Sequence, residues 1–383
     1  KKQVEVDPES LIPKLPDPKD LEPFPTSLSL VFRGHVSRVR TFSLSPSGQF
    51  LLTGADDGVV RLWELATTRC LHQWQFEDGV TKVSWNPSKS LALAAVAAGN
   101  DVHLLHLSSV ADGIVADKKT AQQTLAVLQG DAAPLAAANS AAGVPLAPKC
   151  EWQKPTRKLM QGGAVWTIKH QRDVVAISWH RKGDYFVTVA HNAGAASVQI
   201  HQLSRKQTQQ PFKKNKGLVI TAHFHPTRPQ LLIATQRHVR IYDLQQQTLL
   251  KKLMSGCKWI ASMDVHPGGE HVIVGSYDKR LCWWDLDLGT MPYKTLRYHK
   301  EALRSVVFHA KLPLFASASD DGTIQVFHGM VYSDLLTNPL IVPVKILRAH
   351  QPVDSLGALN LQWHPTQPWL ISSGADGSVK LWT

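Results

Sequence analysis

Cysteine is scarce in this chain: there are four in 383 residues, Cys70, Cys150, Cys257 and Cys282, and none forms a C-x-x-C pair. Such spacing argues against a disulfide framework or a paired-thiolate zinc site and suits free thiols in a reducing compartment. No apolar run approaches the roughly 18 residues of a membrane-spanning helix, so a soluble protein with no membrane partner is expected. Also missing are an H-E-x-x-H pair, a P-loop and a G-x-S-x-G elbow, which leaves zinc, nucleotide and acyl-transfer chemistry without sequence support. No enzymatic activity, metal or cofactor is therefore expected. The chain opens on Lys1-Lys2 with neither an initiator Met nor an apolar signal segment, which reads as a fragment of a longer protein.

Apolar residues make up 43% of the chain, with twelve Trp, enough for a large core. All-β architectures of this length can form one unit. The net charge of +12 favours contact with nucleic acid or an acidic partner. The excess is clustered at Arg205-Lys206, at Lys213, Lys214 and Lys216, and at Lys251-Lys252. Ordinary solvated loop charge explains these clusters equally well.

One phrase returns along most of the chain: an apolar strand, then Pro or His, a turn and a second apolar strand. Its seven copies are Phe42-Ser-Leu-Ser-Pro46, Val83-Ser-Trp-Asn-Pro87, Ile177-Ser-Trp-His-Arg181, Ala222-His-Phe-His-Pro226, Met263-Asp-Val-His-Pro267, Val306-Val-Phe-His-Ala310 and Leu361-Gln-Trp-His-Pro365. Most neighbours lie about 41 to 45 residues apart, the length of one four-stranded propeller blade. The repeated His180, His225, His266, His309 and His364 occupy one place per copy and are expected to be architectural. An Asp also stands six residues before an aromatic, from Asp57 to Trp63, Asp278 to Trp284, Asp321 to Phe327 and Asp376 to Trp382.

This second signature resembles the WD repeat, as do Gly34-His35, Tyr298-His299 and Ala349-His350 ahead of their blades. Copies one, five, six and seven match well and four in part, while two and three have lost the marker residues. The fold expected is an all-β, seven-bladed WD-repeat β-propeller over residues 28–383. The repeat implies a structural hydrogen-bond network pairing His35 with Asp57, His299 with Asp321 and His350 with Asp376, with Trp63 and Trp382 taking part. The chain stops after a third strand at Trp382-Thr383, so the strand-like segment from Ser27 to Phe32 is expected to complete the last blade and remove an exposed edge.

Three segments depart from the repeat. Residues 1–27 are rich in Pro and charge and read as an extended arm. An insertion at about 108–160 contains a low-complexity Ala/Pro/Gly tract from Asp131 to Pro148, with too little apolar surface to order itself, and is expected to be a mobile loop. The apolar segment Gly329 to Pro343 is expected to pack on the propeller or to present a docking surface.

Several longer phrases are similar to the block-of-proliferation family of nucleolar ribosome-assembly proteins. They are Leu15-Pro-Asp-Pro-Lys-Asp-Leu-Glu-Pro-Phe-Pro25, Pro211-Phe-Lys-Lys214, Lys251-Lys-Leu-Met254, Cys257-Lys-Trp259, Gly275-Ser-Tyr-Asp278, His328-Gly-Met-Val-Tyr332 and His364-Pro-Thr-Gln-Pro-Trp369. The resemblance covers nearly the whole chain and is weakest in the Ala-rich insertion. It implies a non-catalytic scaffold in the nucleolus and nucleoplasm that acts on precursor large-subunit particles during pre-rRNA processing. Its implied partners are a second WD-repeat protein with a ubiquitin-like domain and pescadillo, the latter through a region absent here.

Two binding readings follow, a protein-docking propeller and an RNA-binding propeller that uses basic clusters on pre-rRNA phosphates. A peptide or methyl-lysine reader in the channel lacks an identifiable aromatic cage. Lys213, Lys214 and Lys216 are the candidate RNA contacts, without interleaved aromatics to stack bases. For the protein partner, Arg69, His72, Trp74 and Phe76 have no counterparts in other copies and lie on the outer strand of blade one. Alternation places the last three on one face, either as an exposed hot spot or packed against blade two.

Overall fold

The computed structural model describes residues 16–109, 115, 117–129, 150–212, 217–332 and 339–383. They form seven antiparallel sheets that succeed one another along the chain. Blade one consists of Val39–Leu44, Phe50–Ala55, Val59–Glu64 and Cys70–Gln75. Blades two to six begin at Val80, Val174, Val219, Ile260 and Leu303. Blade seven is Ala358–Trp363, Leu370–Gly374 and Val379–Trp382, completed by Leu28–Phe32. First strands of successive blades pack side by side, and that of blade seven lies beside that of blade one, which closes the ring.

Burial follows from this arrangement. Second strands are sandwiched between blades, and Phe50–Ala55, Leu93–Ala98, His271–Ser276 and Leu314–Ser319 are buried at every position. Outer strands have one wet face, as in Cys70–Gln75. The turn between second and third strands needs left-handed backbone: Gly58 has φ +79°, and a Cβ there would meet the Phe76 carbonyl oxygen at 2.6 Å. Every first strand carries a bulge one residue after its start, at Arg40, Thr81, Val175, Ile220, Ala261, Arg304 and Leu359. A bulge re-aims its side chain, and Arg40 and Arg304 accordingly turn to Asp56 and Asp320.

Blades are joined near the channel by side chains that reach the next backbone. Thr41 and Ser43 accept from the amides of Val83 and Trp85 at 3.1 and 2.9 Å, Asp264 from Phe308 at 2.7 Å, and Gln362 from Leu44 at 3.0 Å.

Two of the repeated histidines, His225 and His309, belong to a second set of staples. His225 Nε2 donates to the Gly269 carbonyl of blade five at 2.8 Å, while its Nδ1 accepts from the Arg228 amide at 3.0 Å. His309 bridges to the Gln367 carbonyl of blade seven in the same way, and Asn86 Nδ2 reaches Gly183 O. A ring nitrogen that accepts a hydrogen bond must be unprotonated. Burial accordingly lowers the pKa of His225, His309 and His364.

The closing strand pairs Leu28 with Trp382, Leu30 with Leu381, Val31 with Lys380 and Phe32 with Val379. Phe32 is 2% exposed and packs in one cluster with Trp63 and Leu381.

Residues 108–160 depart from the expected mobile loop where they are described. Lys118–Gln129 is a helix that buries Leu128 and Thr124; Thr124 Oγ1 accepts from the Ala92 amide at 3.0 Å and the Leu128 carbonyl from Trp166 Nε1 at 2.8 Å. Glu151–Gln153 adds a fifth strand to blade two, and Trp152 Nε1 bonds Thr208 Oγ1 of blade three at 3.0 Å. A few large side chains thus anchor a segment whose average composition is poor in them. The tract Asp131 to Pro148 lies outside the described residues. In the other insertion, Thr323–Met330 and Leu340–Arg348 form a long hairpin, and Ile341 is buried with Trp283 and Phe315.

Two outcomes follow. Replacing Leu30, which faces Leu381 across the ladder, with Pro removes a ladder donor from the closing strand, and the thermal midpoint should fall by several degrees; an unchanged midpoint in differential scanning calorimetry would contradict ring closure by this strand. Lowered histidine pKa values mean that the unfolded chain takes up protons near 6.5 before the folded one does. Stability is then full above that value and is lost as pH falls towards about 4, where His35, His103, His170 and His223 titrate. Urea midpoints at pH ~7.5 and ~5 should differ, with the acid value lower.

Candidate docking surface

In blade seven a continuous relay fixes the turn end of the blade. Trp382 Nε1 donates to Ser372 Oγ at 3.0 Å, Ser372 Oγ lies 2.9 Å from His350 Nε2, and His350 Nδ1 lies 3.0 Å from Asp376 Oδ1. Burial lowers the His350 pKa against the pull of Asp376. Burial alone would raise Asp376, yet hydrogen bonds from His350 and Ser378 hold it well below the usual carboxylate range. The ring is thus neutral, with its Nδ1–H donating to the ionised carboxylate and Nε2 accepting from Ser372.

Blade six keeps His299 at 2.7 Å from Ser317 and 3.3 Å from Asp321, with Phe327 in place of Trp. Blade one is different from the expected pairing. His35 Nε2 and Trp63 Nε1 converge on Thr53 Oγ1 at 2.7 and 2.9 Å, but Asp57 caps the Val59 amide instead, and His35 Nδ1 is buried without a partner. Burial and Arg61 push His35 down to about 4.

Blade three retains the network in disguise. His170 Nε2 lies 3.0 Å from Thr188 Oγ1, which lies 2.8 Å from His201 Nε2. His201 pairs with Phe186 across the ladder as Trp63 pairs with Leu51, so it occupies the Trp position. Blade two replaces the same three positions with Phe76, Val96 and Leu105, all buried. The middle hydroxyl, which the signature does not feature, is the shared element in blades one, three, six and seven.

The outer strand of blade one requires a correction. Trp74 and Phe76 are each 4% exposed and belong to the core between blades one and two. Trp74 Nε1 bonds the Gly162 carbonyl supplied by the insertion, and Phe76 stacks on His103 at 5.0 Å. They are core residues because residues 157–163 cover the strand. Arg69 is exposed and His72 half-buried, its ring 4.5 Å from Trp74. Lys213, Lys214 and Lys216 lie outside the described residues.

The channel is polar, lined by alternate residues of the first strands. Lys82, His223 and Asp264 lie on three of these strands. Desolvation raises Asp264 to about 7 and lowers His223 to about 4, with Lys82 acting on both. Among the described residues no group of three or more His, Cys, Asp or Glu could hold a metal, and no helix is long and apolar enough to cross a membrane.

Ser372→Ala removes the hydroxyl shared by His350 and Trp382 and should cost about 1–3 kcal/mol in urea unfolding. Ser372→Thr, which restores the group blade one uses, should recover most of it. Equal stability of the two variants would contradict the relay.

The WD domain, G-beta repeat model matches residues 26–64, 247–285, 290–328 and 341–383. The ribosome biogenesis protein BOP1 of Homo sapiens is 49% identical over 383 residues, covering all of this chain and 50% of that protein. The ribosome biogenesis protein bop1 of Danio rerio is 49% identical, with all of this chain and 48% of that protein covered. The ribosome biogenesis protein ERB1 of Saccharomyces cerevisiae is 45% identical, covering all of this chain and 50% of that protein. The chain spans about half the length of these relatives. With seven blades and the WD signature the chain is a WD-repeat β-propeller, similar along its whole length to about half of the BOP1 and ERB1 ribosome biogenesis proteins.

Proposed function

We propose that this chain is a docking propeller for assembly of the large ribosomal subunit and processing of its pre-rRNA, acting in the nucleolus and nucleoplasm without chemistry of its own. The observation that carries the reading is the match along the whole chain to proteins whose names state ribosome biogenesis. A closed ring supports it physically, because interblade staples hold the loops on both faces in fixed positions, and a preorganised surface binds at lower entropic cost. In this reading the propeller holds a second WD-repeat protein with a ubiquitin-like domain, and pescadillo engages the part of the relatives that lies outside this chain.

The partner surface in this proposal is the edge of blade one around Arg69 and His72, with Trp74 and Phe76 acting from below as its packed support. Arg is enriched among interface hot spots, and Arg69 is exposed. The charge of +12 favours a second reading, in which the propeller also contacts pre-rRNA phosphates through basic clusters that include Lys213, Lys214 and Lys216.

Arg69→Glu should weaken binding to the companion propeller by about 2 kcal/mol or more while the thermal midpoint stays unchanged. Isothermal titration that returns wild-type affinity for the folded variant would remove this surface from the proposal. Large-subunit precursors should sediment with the tagged wild-type chain; their absence would overturn the function itself.

A further inference from the structure

A cleft of about 430 Å³ opens at the end of the channel where blades seven, one, two and three meet. Its walls are the rings of Pro46, Pro87 and Pro365 and the indole of Trp179. The Trp179 ring is fixed by its Nε1 bond to the Ser84 carbonyl at 3.2 Å and by Phe186 at 4.6 Å, so the wall is rigid. The polar lining is one-sided. Lys89 stands exposed at the rim, and no aspartate or glutamate lines the cleft. Gln362 uses its carbonyl oxygen to accept from the Leu44 amide at 3.0 Å, which fixes the side chain and leaves its NH2 group as a donor. The Ser84 hydroxyl adds another donor.

We propose that this cleft binds an extended peptide segment of a protein partner that presents a carboxylate beside an apolar side chain. The carboxylate accepts from Gln362 Nε2 and the Ser84 hydroxyl and pairs with Lys89, while the apolar group lies between the proline rings and Trp179. Charge complementarity selects this occupant: the cleft offers donors and one cation with no acid of its own, and charge-assisted hydrogen bonds are the stronger class. A nucleic acid fits less well, because a single lysine cannot follow successive phosphates. The inference rests on the docking reading and adds a second contact, lined by residues other than Arg69 and His72, with its own chemistry.

The test uses the whole chain and a capped tripeptide with glutamate between two leucines, compared with its glutamine counterpart. Binding is followed by isothermal titration and by the indole N–H resonances of the 15N-labelled protein. The glutamate peptide should bind and shift the Trp179 indole signal, with the glutamine peptide about tenfold weaker, the loss of one charge-assisted hydrogen bond. Gln362→Glu keeps the acceptor for Leu44 but replaces the donor with a negative charge, so it should abolish binding while leaving the thermal midpoint in place. Lys89→Gln, at an exposed position, should weaken it and remove its salt dependence. Equal binding of both peptides, no indole shift, full binding to Gln362→Glu, or a single-stranded RNA that shifts Trp179 when the peptide does not would each overturn the proposal. Retained sedimentation with large-subunit precursors alongside any of these results would show that the cleft has failed and the docking function has not.

Discussion

Everything in this molecule depends on the hydrogen bonding of Leu28–Phe32 to Val379–Trp382. Five blades take their strands in simple succession, blade two adds Glu151–Gln153 outside its fourth strand, and among the described residues only the seventh is assembled from both parts of the chain. A four-stranded blade cannot bury its faces alone, since its second strand is apolar on both sides and needs a neighbour at each. An open array would expose those faces at its first and last blades. Closing it gives every second strand two neighbours and removes the terminal edge. The interblade bonds then become a ring without a weak end, from Thr41 and Ser43 on blade one round to Gln362 of blade seven and back to Leu44.

The same constraint accounts for the polar chemistry inside the ring. First strands converge on the channel, so their side chains meet backbone amides of the next blade and must supply acceptors. Hydroxyls, Asp264 and Gln362 do so along the first strands. Neutral histidine serves at the turns, because one ring can accept from its own loop and donate to the next blade. This dual bonding accounts for the histidines after the first strands of blades four and six.

Much of this was legible in the sequence. The seven phrases from Phe42-Ser-Leu-Ser-Pro46 onward locate every first strand, and the truncated last blade points to the segment before Gly34-His35. Other features were hidden for physical reasons. Blade three lacks the Trp of the signature, yet His201 fills its place through Thr188, because the requirement is a donor or acceptor against a buried hydroxyl and not an indole. Asp57 sits at the right spacing but spends its carboxylate on Val59, a choice that local turn geometry makes and spacing cannot reveal. The sequence left open whether Trp74 meets a partner or packs against blade two, because the residues that cover it, around Gly162, come from nearly ninety positions later. The helix Lys118–Gln129 was obscured by low average hydrophobicity, although Leu128 and Thr124 suffice to dock it. The cleft was invisible for a related reason: it is made by Pro46, Pro87, Trp179 and Pro365, one or more from each of four blades, and no single stretch of chain carries its chemistry.

The central claim, that ring closure by Leu28–Phe32 couples all seven blades, is most directly tested by native-state hydrogen exchange resolved by residue. If closure holds the ring, the amides of Val379–Trp382 and those of the buried strands Phe50–Ala55 and Leu314–Ser319 should exchange with the same free energy, that of global unfolding. Exchange of blade seven at a distinctly lower free energy, with blades one to six still protected, would show that the ring survives without its closing strand and would contradict the account.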